Sequence, residues 1–342
     1  MRTTRERPTP TPSSPPPPFQ TRKLVFTVHR GPAAGATVDA VLIPDTGALP
    51  SSSRPSPRPR LTLCVSSQAG CGQGCAFCLT GAAGRGRNLT AGQIVGQAVA
   101  AARVLRGDGG PSSPGPPLTN VVFMGQGEPL DNADAVLAAA SILTDPQGFG
   151  LSPRRVTVST VGADAAALEA FVAASPAVSV AVSLHAATEA TRSLIVPSSR
   201  RAGGGLAPLV AALERLFPRD APSTAATPPP HWRHGRHVLV EYVLLAGVND
   251  AGADARALVA LLARVAAKVN LIPFNPHPGS PFAPPSRAAV AAFRDAVSAG
   301  GLVCTVRTPK GADAAMAACG QLGEAGAGPP AAARRLVAEG VV

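Results

Sequence analysis

Short apolar, β-branched runs alternate along most of the chain with longer alanine-rich stretches in which apolar side chains recur at helical spacing. The runs predict strands and the stretches predict helices. The predicted strands are Leu61–Val65, Asn120–Met124, Val156–Thr160, Val178–Leu184, His237–Leu245, Val269–Phe274 and Leu302–Arg307. The predicted helices are Gly92–Leu105, Ala133–Leu143, Ala163–Ala174, Leu206–Leu216, Ala253–Ala267 and Arg287–Ala299. Strands separated by helices pair in parallel, and several such units can curl into a full or partial barrel whose ligands bind at the carboxyl ends of the strands.

The regions before and between these elements lack this alternation of predicted strands and helices. Residues 1–22 contain four arginines, one acid and a run of prolines, and are predicted to form a disordered basic leader. A transit peptide for an organelle would have a similar composition. The predicted division of the chain is a leader at 1–22, a β-hairpin (Lys23–His29 and Thr37–Ile43) with a linker at 23–56, a barrel core at 57–326 and a tail at 327–342, with loop insertions at Gly107–Pro117 and Phe217–His237.

Composition narrows the class of protein. Hydrophobic residues make up 45% of the 342 residues and charged residues 15%, which is typical of a globular chain. No stretch of 18 uncharged apolar residues occurs, so no membrane span is expected. Lysine and arginine exceed aspartate and glutamate by 31 to 20, for a net charge of +11. This excess favours a phosphate-bearing partner such as nucleic acid, although an arginine-rich genome would produce the same balance.

The cysteines are concentrated rather than spread. Six are present, and Cys71, Cys75 and Cys78 form a C-x3-C-x2-C motif in a glycine-rich loop directly after the first predicted barrel strand. This clustering, in a chain without a recognisable signal peptide, indicates a metal centre in a reducing compartment. Three thiolates can hold three irons of a four-iron cluster and leave the fourth iron open, whereas a structural zinc site would need a fourth ligand. Cys304, within an apolar strand, is interpreted as a buried small hydrophobe.

The cysteine motif, with an aromatic residue before its last cysteine, resembles the signature of radical S-adenosylmethionine (SAM) enzymes. Further strings follow in the order found in the RlmN/Cfr family of radical-SAM RNA adenine methyltransferases, which the chain resembles from about Lys23 to Leu322. They are Leu63–Gln68, Arg87–Leu89, Val122–Leu130, Ser159–Gly162, Ser183–His185, Glu241–Leu245, Asn270–Asn275 and Ala318–Leu322. The resemblance implies an α/β fold: a partial (β/α)6 TIM-like radical-SAM barrel with a short N-terminal β-hairpin extension.

The resemblance also implies the cofactors and their ligands. A [4Fe-4S] cluster is expected on Cys71, Cys75 and Cys78, with S-adenosyl-L-methionine bound beside it. The implied SAM-binding set is Gly127, Glu128, Ser159, Ser183, Leu184, His185 and Asn275. Most of these residues lie at or just beyond the ends of predicted strands, so they could face one mouth of the barrel. Each alone is more often a capping or core residue.

Three residues carry the chemistry that the resemblance implies. Cys319 is the expected methyl carrier, which SAM first converts to S-methylcysteine. A second SAM is then cleaved to a radical that activates this methyl group for addition to adenine. Cys64 is the expected partner that releases the product and forms a disulfide with Cys319. Asp39 stands where the family has a glutamate assigned as general base, and its side chain is one methylene shorter.

Other departures concern substrate choice. The helical accessory domain that precedes the barrel in bacterial members has no counterpart in the residues before the hairpin. The segment Gly311–Cys319 is one residue longer than usual and keeps only Asp313 of an acidic run.

The leading function is methylation of carbon 2 of an adenosine in ribosomal RNA, transfer RNA or both. The alternatives are methylation of carbon 8, as in Cfr-like members, and a catalytically decayed iron–sulfur protein that binds RNA.

The expected partners follow from this function. They are RNA and an electron donor such as flavodoxin or ferredoxin, with no membrane contact, and the protein is expected to be a monomer. The expected location is the cytoplasm, or an organelle stroma or matrix if the leader is a transit peptide.

Overall fold

The computed structural model describes residues 2–6, 20–45, 60–108, 117–175, 177–201, 203–219, 237–307, 316–323, 328–340 and 342. Several predicted features therefore lie wholly or mostly outside the described residues. They are the proline run of the leader, the linker from residue 46 to its predicted end at 56, the two loop insertions and Asp313.

The described residues form twelve strands and eight helices. The strands are β1 (Arg2–Glu6), β2 (Arg22–Thr27), β3 (Thr37–Asp45), β4 (Arg60–Cys64), β5 (Gln68–Ala69), β6 (Arg87–Asn88), β7 (Asn120–Phe123), β8 (Val156–Thr160), β9 (Ser179–Ser183), β10 (Val238–Leu244), β11 (Ala267–Pro273) and β12 (Val303–Val306). The helices are α1 (Ala91–Asp108), α2 (Ala133–Thr144), α3 (Ala165–Ala174), α4 (Glu189–Ile195), α5 (Leu206–Leu216), α6 (Gly252–Leu261), α7 (Arg287–Ala299) and α8 (Ala331–Ala338).

Ten of the strands form one open sheet in the order β1-β2-β3-β4-β7-β8-β9-β10-β11-β12. The seven strands from β4 to β12 in this order are mutually parallel, whereas β1, β2 and β3 are joined to them by antiparallel pairing. The predicted α/β class, partial parallel barrel and N-terminal hairpin are confirmed. Because every parallel strand runs in the same direction, their carboxyl ends meet at one edge, where ligands bind in such folds.

The buried residues show how the alanine-rich stretches pack as helices against this sheet. In α2, Val136, Ala139, Ala140 and Leu143 are fully buried, at spacings that place them on one helix face. In α5, Leu206, Leu209, Ala212 and Leu213 form the corresponding face. Small alanine side chains at these contacts let helix and sheet backbones approach closely, so the helices cover the sheet and leave the strand ends as the place for a site.

The structure differs from the sequence prediction at several elements, among them the two-residue strands β5 and β6, which were not predicted. Strand β1 lies within the predicted leader and pairs with β2, because two adjacent threonines and a strand with an unpaired edge both favour extension of the sheet. Helix α6 ends at Leu261, earlier than predicted, because Val265 turns back to form a bridge with Pro218. Helices α4 and α8, the latter within the predicted tail, are both short and were not predicted.

Among the described residues, none of the helices combines the length and the apolar character that a membrane span requires.

Candidate active site

The loop that carries the three clustered cysteines follows β5 at the carboxyl edge of the sheet. Cys71, Cys75 and Cys78 all line one cavity of about 120 Å³. The loop is fixed from two sides: the Ala76 amide donates to the Ile195 carbonyl of α4 (2.9 Å), and His277 Nε2 lies 3.2 Å from the Phe77 carbonyl. The cysteines therefore lie on a short segment whose backbone is held by distant parts of the chain.

Burial changes the acidity of two of these thiols. It raises the pKa of Cys71 to about 12 and that of Cys75 well above its usual value, and the neighbouring thiols add to both rises. The thiolate is the form that binds a metal, so these groups must release protons when they do so. Iron would supply the positive charge that stabilises several thiolates in one buried place.

The donor set fits an iron–sulfur cluster better than a single ion. Within the part of the chain that the structure describes, no three His, Cys, Asp or Glu side chains are grouped to hold one metal ion. A structural zinc site needs four ligands around one point. A four-iron cluster binds each of three thiolates through a different iron, and Cys71, Cys75 and Cys78 all line one cavity, which fits this arrangement.

Gly127 and Glu128, which follow β7, line the same cavity. Gly127 has φ +99°, and a Cβ there would come within 2.6 Å of Gln68 Cβ, so only glycine fits. Glu128 is buried, and its carboxylate accepts from the amides of Val161 (2.9 Å) and Leu130 (3.1 Å). Burial nevertheless raises its pKa to about 7, against the lowering effect of these bonds. A carboxylate has further lone pairs, so Glu128 can also accept from a ligand ammonium.

Ser159 and Ser183 lie on the adjacent strands β8 and β9, and their hydroxyl oxygens are 3.2 Å apart at the cavity wall. Leu184, which the resemblance places in the SAM-binding set, is not among the residues that line this cavity; its side chain packs in the core, and its backbone makes polar contacts. Its amide donates to the Glu241 carbonyl, and its carbonyl accepts from the buried guanidinium of Arg192. Any contact of Leu184 with a ligand would have to be made by its backbone.

His185 also lines the cavity and has the unusual backbone angle φ +62° for a residue with a side chain. Its Nδ1 accepts from the Val243 amide (3.1 Å), so its proton is on Nε2, and Phe77 packs edge-on against its ring. Burial, with Arg192 nearby, lowers its pKa to about 3. His185 is thus a neutral donor that does not repel a cationic ligand, and its strained backbone is held in place by these contacts.

Asn275, just after β11, reaches the second cavity described below. Its amide nitrogen donates to the Cys319 carbonyl (3.1 Å), whereas its Oδ1 is buried and has no hydrogen-bond partner. A buried acceptor without a partner is costly, so this atom is suited to receive a hydrogen bond from a ligand. Together with the donors and acceptors of the first cavity, this orphan oxygen makes the site compatible with a polar ligand.

A second cavity, of about 320 Å³, adjoins the first. Cys64, at the end of β4, and Cys319 both line it, and Cys319 also lines the cavity of the clustered cysteines. Burial raises the pKa of Cys64 to about 11. The Cys319 thiol is accessible from the cavity, yet the surrounding protein removes most of its solvent and raises its pKa to about 12, while Arg307 lowers it.

Arg307 and Glu241 are further polar residues at the site, to which the sequence analysis assigned no role. Arg307 lines both cavities; burial lowers its pKa, but the charges of Cys319, Glu241 and Cys64 more than offset this and leave it above the usual value. Glu241 accepts from Asn270 Nδ2 (2.9 Å) on the neighbouring strand. An arginine at the carboxyl end of a predicted barrel strand is the signal that could have identified Arg307.

Asp39 is not among the residues that line either cavity. Its Oδ2 lies 2.9 Å from Lys23 Nζ and accepts from the Gly323 amide at 3.2 Å. The structure thus brings the predicted metal and thiol residues, and the predicted SAM-binding residues other than Leu184, to two adjoining cavities, whereas Asp39 lies beside the loop that carries Cys319.

Comparisons with known proteins agree with this geometry. The family model of the radical SAM superfamily matches residues 65–227. The dual-specificity RNA methyltransferase RlmN of Solidesulfovibrio magneticus is 42% identical over 288 residues, which cover 84% of this chain and 72% of that protein. RlmN of Parvibaculum lavamentivorans is 40% identical over 308 residues, 88% of this chain and 69% of that protein. A crystal structure of a radical SAM methyltransferase from Sphaerobacter thermophilus aligns with a TM-score of 0.73 and 38% identity, covering 92% of this chain and 80% of that one. The chain therefore belongs to the RlmN family of radical SAM methyltransferases.

Proposed function

We propose that this protein methylates carbon 2 of an adenosine in ribosomal RNA, transfer RNA or both, with Cys319 as methyl carrier and Cys64 as its partner thiol. Membership of the RlmN family makes the chain a SAM-dependent RNA methyltransferase of the radical-SAM class, with a [4Fe-4S] cluster and SAM as its cofactors. The net charge of +11 supports an RNA substrate.

The observation that carries the proposal is the position of Cys319 between the two cavities. On one side are Cys71, Cys75 and Cys78, which would hold the cluster, with Glu128 and His185 beside them to bind SAM. On the other side is the larger cavity with Cys64. A thiol at the junction can receive a methyl group from one side and present it to a base on the other.

The walls of the larger cavity suit a flat aromatic base. Val41, Ile43, Met124 and Ile272 supply apolar surface, and Thr62, Asn275 and Arg307 supply polar groups. Binding sites of this kind combine mostly apolar walls with a few polar groups that fix orientation. We infer that the target adenine enters this cavity.

The protein's own groups then have defined tasks. When bound, the cluster and SAM would supply a methyl group and, in a second use of SAM, a radical that removes hydrogen from that methyl group. Cys319 loses its proton and forms the S–CH3 bond, and Arg307 favours its thiolate. The methyl carbon that has lost hydrogen then bonds to carbon 2 of the adenine ring, which would lose one electron, returned to the bound cluster, and its own hydrogen as a proton. Cys64, also deprotonated more readily beside Arg307, attacks the Cys319 sulfur to form a disulfide; the sulfur–carbon bond breaks with its electron pair passing to the product carbon, which takes up a proton and becomes the methyl group.

The test is methylation of ribosomal and transfer RNA fragments by reconstituted protein with methyl-labelled SAM, followed by nucleoside mass spectrometry. Wild type is expected to form 2-methyladenosine and Cys319→Ala none. Cys304→Ala is the matched control, because this half-buried cysteine lies on β12 and is not among the residues lining the two cavities. We expect the control to retain wild-type activity. Labelled 8-methyladenosine would assign the other position, and no labelled adenosine from wild type would contradict the function.

The remaining proposals concern partners and location. We propose that a small electron-transfer protein, such as flavodoxin or ferredoxin, reduces the cluster and that the protein acts as a monomer without membrane contact. We place it in the cytoplasm, or in an organelle stroma or matrix if the basic N-terminal segment directs it there. The basic charge would favour docking of an acidic electron donor.

A further inference from the structure

The face of β3 that points toward Cys319 includes Asp39, whose contacts are unlike those of a base in a substrate pocket. Val41 and Ile43 line the larger cavity, and Asp39 lies two residues before Val41 on the same face of the strand. Asp39 is 4% exposed. Its carboxylate therefore lies beside the cavity, within protein.

The loop around Cys319, residues 316–323, is here called the carrier loop. Its backbone is bound by three distant segments. The Leu79 amide and the Thr80 hydroxyl of the cysteine-rich segment donate to the carbonyls of Gly320 (2.8 Å) and Leu322 (2.6 Å). Asn275 donates to the Cys319 carbonyl from the end of β11 (3.1 Å). The third attachment is the bond from the Gly323 amide to Asp39 Oδ2 (3.2 Å), which is the one made by the N-terminal hairpin.

Lys23 completes this attachment. It lies on β2 opposite Val41, diagonal to Asp39, and its ammonium is 2.9 Å from the same Oδ2 atom. The side chains of this ion pair are 12% and 6% exposed, so solvent screens it little. Loss of either partner would leave a largely buried charge uncompensated. The pair thus fixes an acceptor oxygen at the end of the carrier loop.

We propose that Asp39 is a positioning residue that holds the carrier loop, and with it the Cys319 thiol, at the junction of the two cavities. This inference rests on the proposed function of Cys319 as methyl carrier. It differs from the general-base role implied by family resemblance, in which the carboxylate would be needed after the methyl carbon has bonded to adenine. The two roles act at different steps, because holding Cys319 matters already when the thiol is methylated.

The experiment separates these steps in reconstituted protein. Transfer of a labelled methyl group from SAM to Cys319 is followed by peptide mass spectrometry, methylation of an RNA fragment by nucleoside analysis, and SAM binding by equilibrium dialysis. The variants are Asp39→Ala, which removes the acceptor, and the double variant Lys23→Met/Asp39→Asn. The double variant removes both charges and keeps an oxygen for the Gly323 amide. Asp295→Asn, an exposed carboxylate on α7 paired with its neighbour Arg294, is the matched control.

Asp39→Ala is expected to slow Cys319 methylation at least about tenfold, with SAM affinity unchanged, because the residues of the SAM cavity are intact. The double variant is expected to keep both Cys319 and RNA methylation within about threefold of wild type, since its amide oxygen still holds the loop. It also keeps the test informative if Asp39→Ala does not fold.

Two results would overturn the proposal. One is normal Cys319 methylation in Asp39→Ala. The other is a double variant with normal Cys319 methylation but no RNA methylation, which would assign Asp39 as the base. If wild type itself never acquires a methyl group on Cys319, the proposed function fails instead.

Discussion

The two cavities that meet at Cys319 are built in different ways. The cavity of the clustered cysteines is lined mainly by the loop that carries them and by residues at or just beyond the ends of β7 to β11, so most of its side chains are positioned by a strand and its turn, although Arg307 and the carrier loop also contribute. The larger cavity is lined by β3, β4, the end of β11, Arg307 and the carrier loop. The hydrogen bonds that hold the carrier loop in its wall join residues far apart in the sequence. The Thr80 hydroxyl donates to the Leu322 carbonyl, and the Gly323 amide donates to the Asp39 carboxylate.

The two cavities should therefore respond differently to substitution. Strand ends of a parallel sheet are fixed by the whole sheet, and a single substitution there removes one group without moving the others. A loop held by a few long-range hydrogen bonds depends on each of them. We therefore expect substitutions around the first cavity to affect binding of the cofactors, and substitutions around the second to affect the placement or reactivity of Cys319.

The largest effect is expected from the clustered cysteines. Replacement of Cys71, Cys75 or Cys78 by Ala should abolish reductive SAM cleavage, because we propose that each thiolate holds a different iron. Reconstituted wild type should contain about four irons per chain, and the variants fewer. Iron analysis and measurement of 5′-deoxyadenosine check both statements. Stoichiometric zinc without iron-dependent absorbance in wild type would contradict the assignment of this cavity.

Glu128 gives a pH test of the same cavity, measured as stability of the protein without iron. Because burial raises its folded pKa from 4.5 to about 7, the folded state keeps a proton that the unfolded state loses between these values. The contribution of this group is full below pH 4.5 and is lost as pH rises to 7, by about 3 kcal/mol in the free energy of unfolding. Glu128→Gln should remove this part of the pH dependence. Urea unfolding at pH 5 and pH 8 measures it, and identical pH dependence in both proteins would refute it.

A smaller effect is expected from Arg307, which acts on the second cavity. Its charge lowers the pKa of both Cys64 and Cys319. Arg307→Met should shift the pH profile of Cys319 methylation upward by about one unit, equivalent to about tenfold slower methylation below the pKa. Arg294→Met on α7 is the matched control, since this arginine pairs with Asp295 at the surface. An unshifted profile for Arg307→Met would show that the guanidinium does not act on the carrier thiol.

The same contrast explains what the sequence alone could predict. Strands β7 to β11 and the positions of Gly127, Ser159 and Ser183 follow from periodicity and from the rule that parallel strand ends share an edge. Helices α4 and α8 were missed because seven and eight residues show too little periodicity to identify a helix. The family resemblance supplied the pairing of Cys64 with Cys319, which no local pattern contains.

The contacts of Asp39 and Arg307 were beyond sequence reasoning for a physical reason. Lys23 and Gly323 contact Asp39 only in the folded protein, where β2, β3 and the carrier loop lie side by side. Secondary-structure propensities describe local segments and do not predict such long-range contacts. The side-chain direction of Leu184 was also not predictable. Its position in a motif does not reveal that its side chain points into the core, because a shift of one residue at the end of a strand reverses which side chains face the core.

The central claim is that Cys319 carries carbon from one cavity to the other and that Cys64 releases the product. The most direct measurement is mass spectrometry of Cys64→Ala protein after reaction with SAM, reductant and an RNA fragment. We expect a covalent adduct between RNA and the peptide that contains Cys319, and no adduct in Cys319→Ala or in Cys64→Ala/Cys319→Ala. Equal amounts of methylated RNA without any adduct from Cys64→Ala and Cys319→Ala would contradict it.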